Sequence, residues 1–187
     1  REITDGYERQ AVITFCAGVL GRAGLWAESD ALLKANLAKS HSPYYLMSQL
    51  GGNARKQGRN DEALDWYAQA FDKSEGPATR LQWGSGYLSA LVDLAPQDAA
   101  RIEKTASQLL AEAARDDGAF EGRSLRSLQR VGNKLQTWNA DGKQAAALRR
   151  LQTQLDGLCP KVDAAEGQRA ACQALLKPAP KKAEQAA

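Results

Sequence analysis

The sequence is poor in the residues that build sheets. Ile and Val together number eight among 187 residues, against 34 Ala and 23 Leu. β-branched side chains suit a pleated, half-buried surface, whereas Ala and Leu are strong helix formers. All-β and α/β folds are therefore excluded. Long apolar runs are also missing, and none approaches the roughly 18 residues that cross a bilayer. With 43% hydrophobic and 25% charged residues, the chain reads as soluble and globular. Charge of one sign is lacking too. The 25 Lys and Arg are interspersed with 22 Asp and Glu, leaving a net +3 and a pI of about 8.8. A committed nucleic-acid binder gathers cations on one surface, so nucleic acid is an unfavoured partner.

Metal-binding residues are scarce. His41 is the one histidine, and Cys16, Cys159 and Cys172 form no Cys-x-x-Cys pair. A four-ligand zinc site would need carboxylates as well, and none cluster with them, so no metal or cofactor is expected. Gly-x-x-x-x-Gly-Lys, His-Glu-x-x-His and Gly-x-Ser-x-Gly are all absent, so no catalytic residue is assigned. Cys16, in Ile13-Thr14-Phe15-Cys16-Ala17-Gly18-Val19-Leu20, is expected to be a small buried apolar group. Cys159 and Cys172 flank a turn-rich connector. Two readings stay open for them: reduced core thiols, or a disulfide closing a loop of about 14 residues and contributing roughly 3 kcal/mol. A disulfide would place the protein outside the cytoplasm. A chain starting on Arg1 reads as a processed product or a piece of a longer one.

What is present is helix, break, helix throughout. Apolar spacing predicts helices at about 6–22, 27–39, 44–57, 61–73, 78–93, 98–115, 119–139, 143–157 and 166–176. The first owes its spacing to Val12, Phe15, Val19 and Leu20. Asn60 or Asp61 can cap the fourth and Asp98 the sixth, while Gly76-Pro77 is expected to end the fourth. Residues 177–187 hold no large apolar side chain and are expected to be a disordered tail.

An internal period organises these helices. Gly24 and Gly58 lie 34 residues apart, as do Pro43 and Pro77; Ala17 aligns with Gly51, Leu33 with Tyr67 and Leu37 with Phe71. The unit at 44–77 reads Met47-x-x-Leu50-Gly51-x-x-Ala54-x-x-x-Gly58, then Glu62-Ala63-x-x-x-Tyr67-x-x-Ala70. Small residues at Gly51 and Ala63 let two helices cross closely. This unit resembles a tetratricopeptide repeat, with Met47 in place of the usual Trp and Ala54 in place of the usual Tyr. Degenerate units follow the same plan at about 10–43, 78–115 and 119–157. The expected fold is an all-α, tetratricopeptide-like α-hairpin array, a right-handed α-α superhelix of eight or nine helices. It would form a single domain over 1–176.

Several segments are more distinctive: Ala31-Leu32-Leu33-Lys34, Lys39-Ser40-His41-Ser42-Pro43-Tyr44-Tyr45, Ala63-Leu64-Asp65-Trp66-Tyr67, Glu75-Gly76-Pro77-Ala78-Thr79-Arg80-Leu81-Gln82-Trp83-Gly84 and Leu94-Ala95-Pro96-Gln97-Asp98-Ala99-Ala100-Arg101-Ile102-Glu103-Lys104. With the two late cysteines they look like the helical C-terminal region of exported bacterial thioredoxin-family proteins, over nearly the whole chain. The resemblance implies a periplasmic or secreted setting, with the cytoplasm as the alternative. It also implies an upstream thioredoxin-fold domain as partner, in a parent acting as a thiol–disulfide oxidoreductase or isomerase. This chain lacks that domain's Cys-x-x-Cys, so no redox residue carries over and the chain itself is expected not to be an enzyme.

Two surfaces invite a functional reading. By repeat position, Tyr45, Gln49, Arg55 and Lys56 line the inner face of the second unit, with Gln82 and Arg22 as neighbours in the third and first. Cations and amides in a groove suit a carboxylate-bearing or acidic peptide. Arg123, Arg126, Arg130 and Lys134 recur every three or four residues and make one basic stripe. An ordinary solvated face is the simpler account of either set. His41 reads as a turn residue. Asp61, Glu62 and Asp65 sit where a helix dipole favours negative charge, and the aromatic residues read as hairpin packing. The expectation is a non-catalytic protein- or peptide-interaction module. The alternatives are an enzyme using His41 or paired carboxylates in the groove, and a weak binder of nucleic acid or an acidic partner through the Arg123–Lys134 stripe.

Overall fold

The computed structural model describes residues 5–162 and 166–177. It is all-α, with no strand among the described residues. The helices are α1 (Gly6–Arg22), α2 (Trp26–Asn36), α3 (Pro43–Lys56), α4 (Asn60–Lys73), α5 (Pro77–Leu94), α6 (Ala99–Ala113), α7 (Gly122–Trp138), α8 (Ala145–Leu158) and α9 (Glu166–Ala174). Short 3-10 turns follow α2 at Leu37–Lys39 and α8 at Cys159–Lys161. No helix among the described residues is long and apolar enough to cross a membrane. The expected disordered tail lies, beyond Lys177, outside the described residues.

Local chemistry sets most boundaries. The Asp5 carboxylate accepts the backbone N–H groups of Tyr7 and Glu8, both at 2.9 Å, and Asp98 accepts that of Arg101 at 3.2 Å, so both act as N-caps. The α4 N-cap position falls on Arg59 and makes no side-chain cap bond, so neither Asn60 nor Asp61 caps that helix. Gly24 and Gly58 turn the chain with φ of +79° and +73°, a region only glycine enters freely. Pro43 and Pro77 open α3 and α5 rather than closing the helices before them, because proline fits the first helical position. α7 starts at Gly122, three residues later than expected, since the stretch ahead of it forms turns.

The chain forms two compact units, Arg1–Ala90 and Leu91–Ala187. The core of the first gathers Ala17, Leu33, Leu46 and Leu50, with Ile13, Leu32, Leu37 and Trp66 against it. α3 and α4 form its tightest hairpin. A Cβ on Gly51 would lie 2.9 Å from the Tyr67 ring, so the small residue is what admits the aromatic. Polar groups tie α2 to α1 and to α3. The buried Ser29 hydroxyl donates to the Ala17 carbonyl at 2.9 Å, and the Asn53 amide donates to Ser29 Oγ and Asp30 Oδ1, both at 2.8 Å. Arg59 then bridges Asp30 and Glu62. Arg80 closes the end of α4, donating to the carbonyls of Phe71 and Ser74, both at 3.1 Å, with its guanidinium 4.7 Å from the Phe71 ring centroid.

In α1 the buried face is not the one its apolar spacing suggests. Ala17 and Gly21 are buried, while Val12 (42%), Phe15 (67%) and Val19 (42%) are exposed. Cys16, expected in the core, is an exposed free thiol. It sits toward that outward face, so burial cannot have selected it.

The second unit buries Ile102, Leu109, Leu110, Leu128, Val131, Leu135, Leu151 and Leu155. The Trp138 indole donates to the Pro96 carbonyl at 2.9 Å, and Gln154 donates to that of Ser107 at 3.0 Å. Cys159 and Cys172 are joined in a disulfide, the bonded one of the two open readings. It fixes α9 beside the end of α8. There the Leu175 carbonyl rests against Gly132 of α7, where any Cβ would collide with it, and Gln136 donates to the Leu176 carbonyl at 2.5 Å.

Candidate binding surfaces

The open side of α3 follows from its own amphipathicity. Leu46, Met47, Leu50, Gly51, Asn53 and Ala54 are buried, which turns Tyr45, Gly52, Arg55 and Lys56 outward at near-helical-turn spacing. Tyr45, 46% exposed, meets Trp83 of α5 edge to face at 5.2 Å, and Tyr44 lies 5.1 Å from Tyr45 and 5.7 Å from Trp83. Arg55 hydrogen-bonds the Tyr67 hydroxyl. Burial pushes that hydroxyl's pKa up, and the guanidinium pulls it part of the way back. The Lys56 ammonium stands 5.9 Å from the Trp26 ring centroid, a cation–π distance. Gly52 leaves the middle of the face without a side chain.

The remaining groove candidates have local roles. The Gln49 amide donates to the Thr14 carbonyl of α1 at 3.0 Å. A Cβ on Gly18 would lie 3.4 Å from both Gln49 Nε2 and Arg22 Nη1, so that glycine leaves room for both side chains. Gln82 is half-buried on α5, and its carbonyl accepts the Ser85 hydroxyl at 2.9 Å. The six residues thus sit as an α3 group of Tyr45, Arg55 and Lys56, Gln49 joining α3 to Thr14 of α1, Arg22 at the end of α1, and Gln82 on α5. Trp26, Tyr67 and Trp83, read from the sequence as packing residues, are what position the outward side chains. Gly24-Leu25-Trp26, an aromatic two residues after the turn glycine of the first unit, was the available signal for Trp26.

Arg123, Arg126 and Arg130 are exposed on α7. Lys134 is half-buried and bonded to Asp93 at 2.5 Å, so the stripe ends in a neutralised pair. Arg126, Gln129, Arg130, Asn133, Lys134 and Thr137 line an open concavity of about 430 Å³. Two of the titratable groups set aside above, His41 and Glu62, have structural partners. His41 packs on Tyr7 with centroids 4.3 Å apart, and Glu62 is shared between Arg59 and the Trp66 indole, which donates to it at 3.4 Å. Among the described residues no three His, Cys, Asp or Glu side chains gather as a metal site. Compared with protein-family models, curated proteins and solved structures, the chain finds no match.

Proposed function

We propose that the chain is a non-catalytic helical-repeat module that binds a carboxylate-bearing peptide along the open face of α3. The observation that carries this reading is preorganisation. Tyr45, Arg55 and Lys56 point outward from one helix, and each is already held by an aromatic side chain of a neighbouring helix or turn. Side chains fixed before binding lose little rotamer freedom on binding. Two adjacent cations offer charge-assisted hydrogen bonds to carboxylates, Tyr45 offers an aromatic surface, and the bare backbone at Gly52 leaves room for an extended chain. The bonded Cys159–Cys172 pair supports a place for this module in an oxidising compartment; that it is part of a thiol–disulfide protein is what the sequence resemblance implies.

Calorimetric titration with a Glu-rich decapeptide bearing a free C-terminal carboxylate tests the reading. Arg55→Glu/Lys56→Glu is expected to weaken binding at least about tenfold, since hydrogen bonds to charged groups are worth about 1.5–3 kcal/mol each. Arg123→Glu/Arg126→Glu is expected to leave it unchanged. Equal loss from both pairs, or binding indifferent to the α3 pair, overturns the assignment.

A further inference from the structure

The 34-residue period makes the outward face of α1 informative. Shifted by one period, Val12, Cys16 and Val19 fall on Leu46, Leu50 and Asn53 of α3. In α3 those three are buried: Leu46 and Leu50 cluster with Leu33 of α2, and Asn53 donates to Ser29 and Asp30 of α2. The face that receives a helix in the second repeat is therefore present in the first, with apolar side chains, and is open. Tyr7 (76% exposed) and Phe15 extend it.

The seam itself indicates what fits. Glu8, Val12, Phe15, Val19 and Arg22 follow a 4-3-4-3 spacing, the spacing by which one helix packs along another. Glu8 and Arg22 lie seven residues to either side of Phe15, and both are exposed. An antiparallel copy of the same helix, related by a two-fold axis at Phe15, sets Glu8 of each against Arg22 of the other and opposes the two helix dipoles. A parallel copy would set Glu8 against Glu8. We infer that α1 is a self-association surface, on which a second copy of this chain docks its own α1 antiparallel through Val12, Phe15 and Val19. A 17-residue helix is about 25 Å long, so the contact is small and the dimer weak, in the micromolar range of small interfaces. This surface does not use Tyr45, Arg55 or Lys56 and does not depend on peptide binding to them.

Sedimentation equilibrium from about 1 to 200 µM, on a Cys16→Ser background that removes any intermolecular disulfide, tests the inference. A concentration-dependent dimer is expected. Phe15→Glu should raise its dissociation constant by about a hundredfold, with an unchanged far-UV circular dichroism spectrum. Glu8→Arg and Arg22→Glu should each raise it by about tenfold, because each reverses one charge in two symmetric pairs, and the double reversal should restore it to within about threefold. A chain monomeric across the range overturns the inference. So does a dimer indifferent to Phe15→Glu, or a double reversal no tighter than the singles.

Discussion

The hairpin of α3 and α4 and the segment from Cys159 to Leu176 solve the same problem by different means. Each must hold a helix against a neighbour that approaches at a glycine. In the hairpin the visitor at Gly51 is the Tyr67 ring, and many buried apolar side chains hold the pair together. At the other end the visitor at Gly132 is the Leu175 backbone carbonyl, and the nine-residue α9 is too short to hold itself by packing alone. A covalent bond does there what buried area does in the repeat. A cross-link of this kind acts chiefly on the unfolded chain, whereas packing acts on the folded one.

The comparison is most strongly challenged by removing the bond. Cys159→Ser/Cys172→Ser is expected to cost about 3 kcal/mol for a loop of this length. Amide exchange should accelerate in α9 and at the end of α8 while α1 to α4 keep their protection. Equal acceleration in α3 and α4 would show that the two ends are not stabilised separately. Next come the glycines. Gly132→Ala is expected to cost about 1–3 kcal/mol by chemical denaturation, because a backbone carbonyl must move. Gly51→Ala should fall within about 1 kcal/mol of the parent, since a ring edge can shift and alanine regains about 0.5–1 kcal/mol of helix propensity. The reverse order would break the contrast.

The smallest effect concerns Arg150, which donates to both Glu103 oxygens at 2.6 and 2.7 Å and holds that carboxylate below its usual pKa. A lowered folded pKa gives stability that is present above the usual carboxylate range and is lost as pH falls through the folded value. Arg150→Met should therefore lower the melting temperature slightly at pH 7, by about 1 °C for so exposed a pair. The difference should close once both proteins are titrated below the carboxylate range.

The sequence disclosed its helices because their signals are local. Glycine turns and Asp98 at a cap are visible from neighbouring residues alone, whereas Pro77 marked a boundary but was assigned to the wrong side of it. It misdirected on α1 because that helix is apolar on two sides. Val12, Phe15 and Val19 have the spacing of a core face, yet Ala17 and Gly21 are the residues turned inward. Periodicity reports that a face is apolar, not which partner covers it. The repeat period placed Tyr45, Arg55 and Lys56 together on α3. That Gln49 would be occupied by the Thr14 carbonyl, or Lys134 by Asp93, depends on residues 35 and 41 positions away, beyond the reach of a local pattern.

Arg80 has a consequence for the length of the chain around it. The last carbonyls of α4 are satisfied by a guanidinium from the first turn of α5, reached across a connection of three residues, 74–76. That side chain works as a gauge. Adding a residue between Lys73 and Pro77 would shift the guanidinium away from these carbonyls, leaving that of Phe71 to the Ser74 N–H and hydroxyl. The link between α4 and α5 is thus a poor place for an insertion.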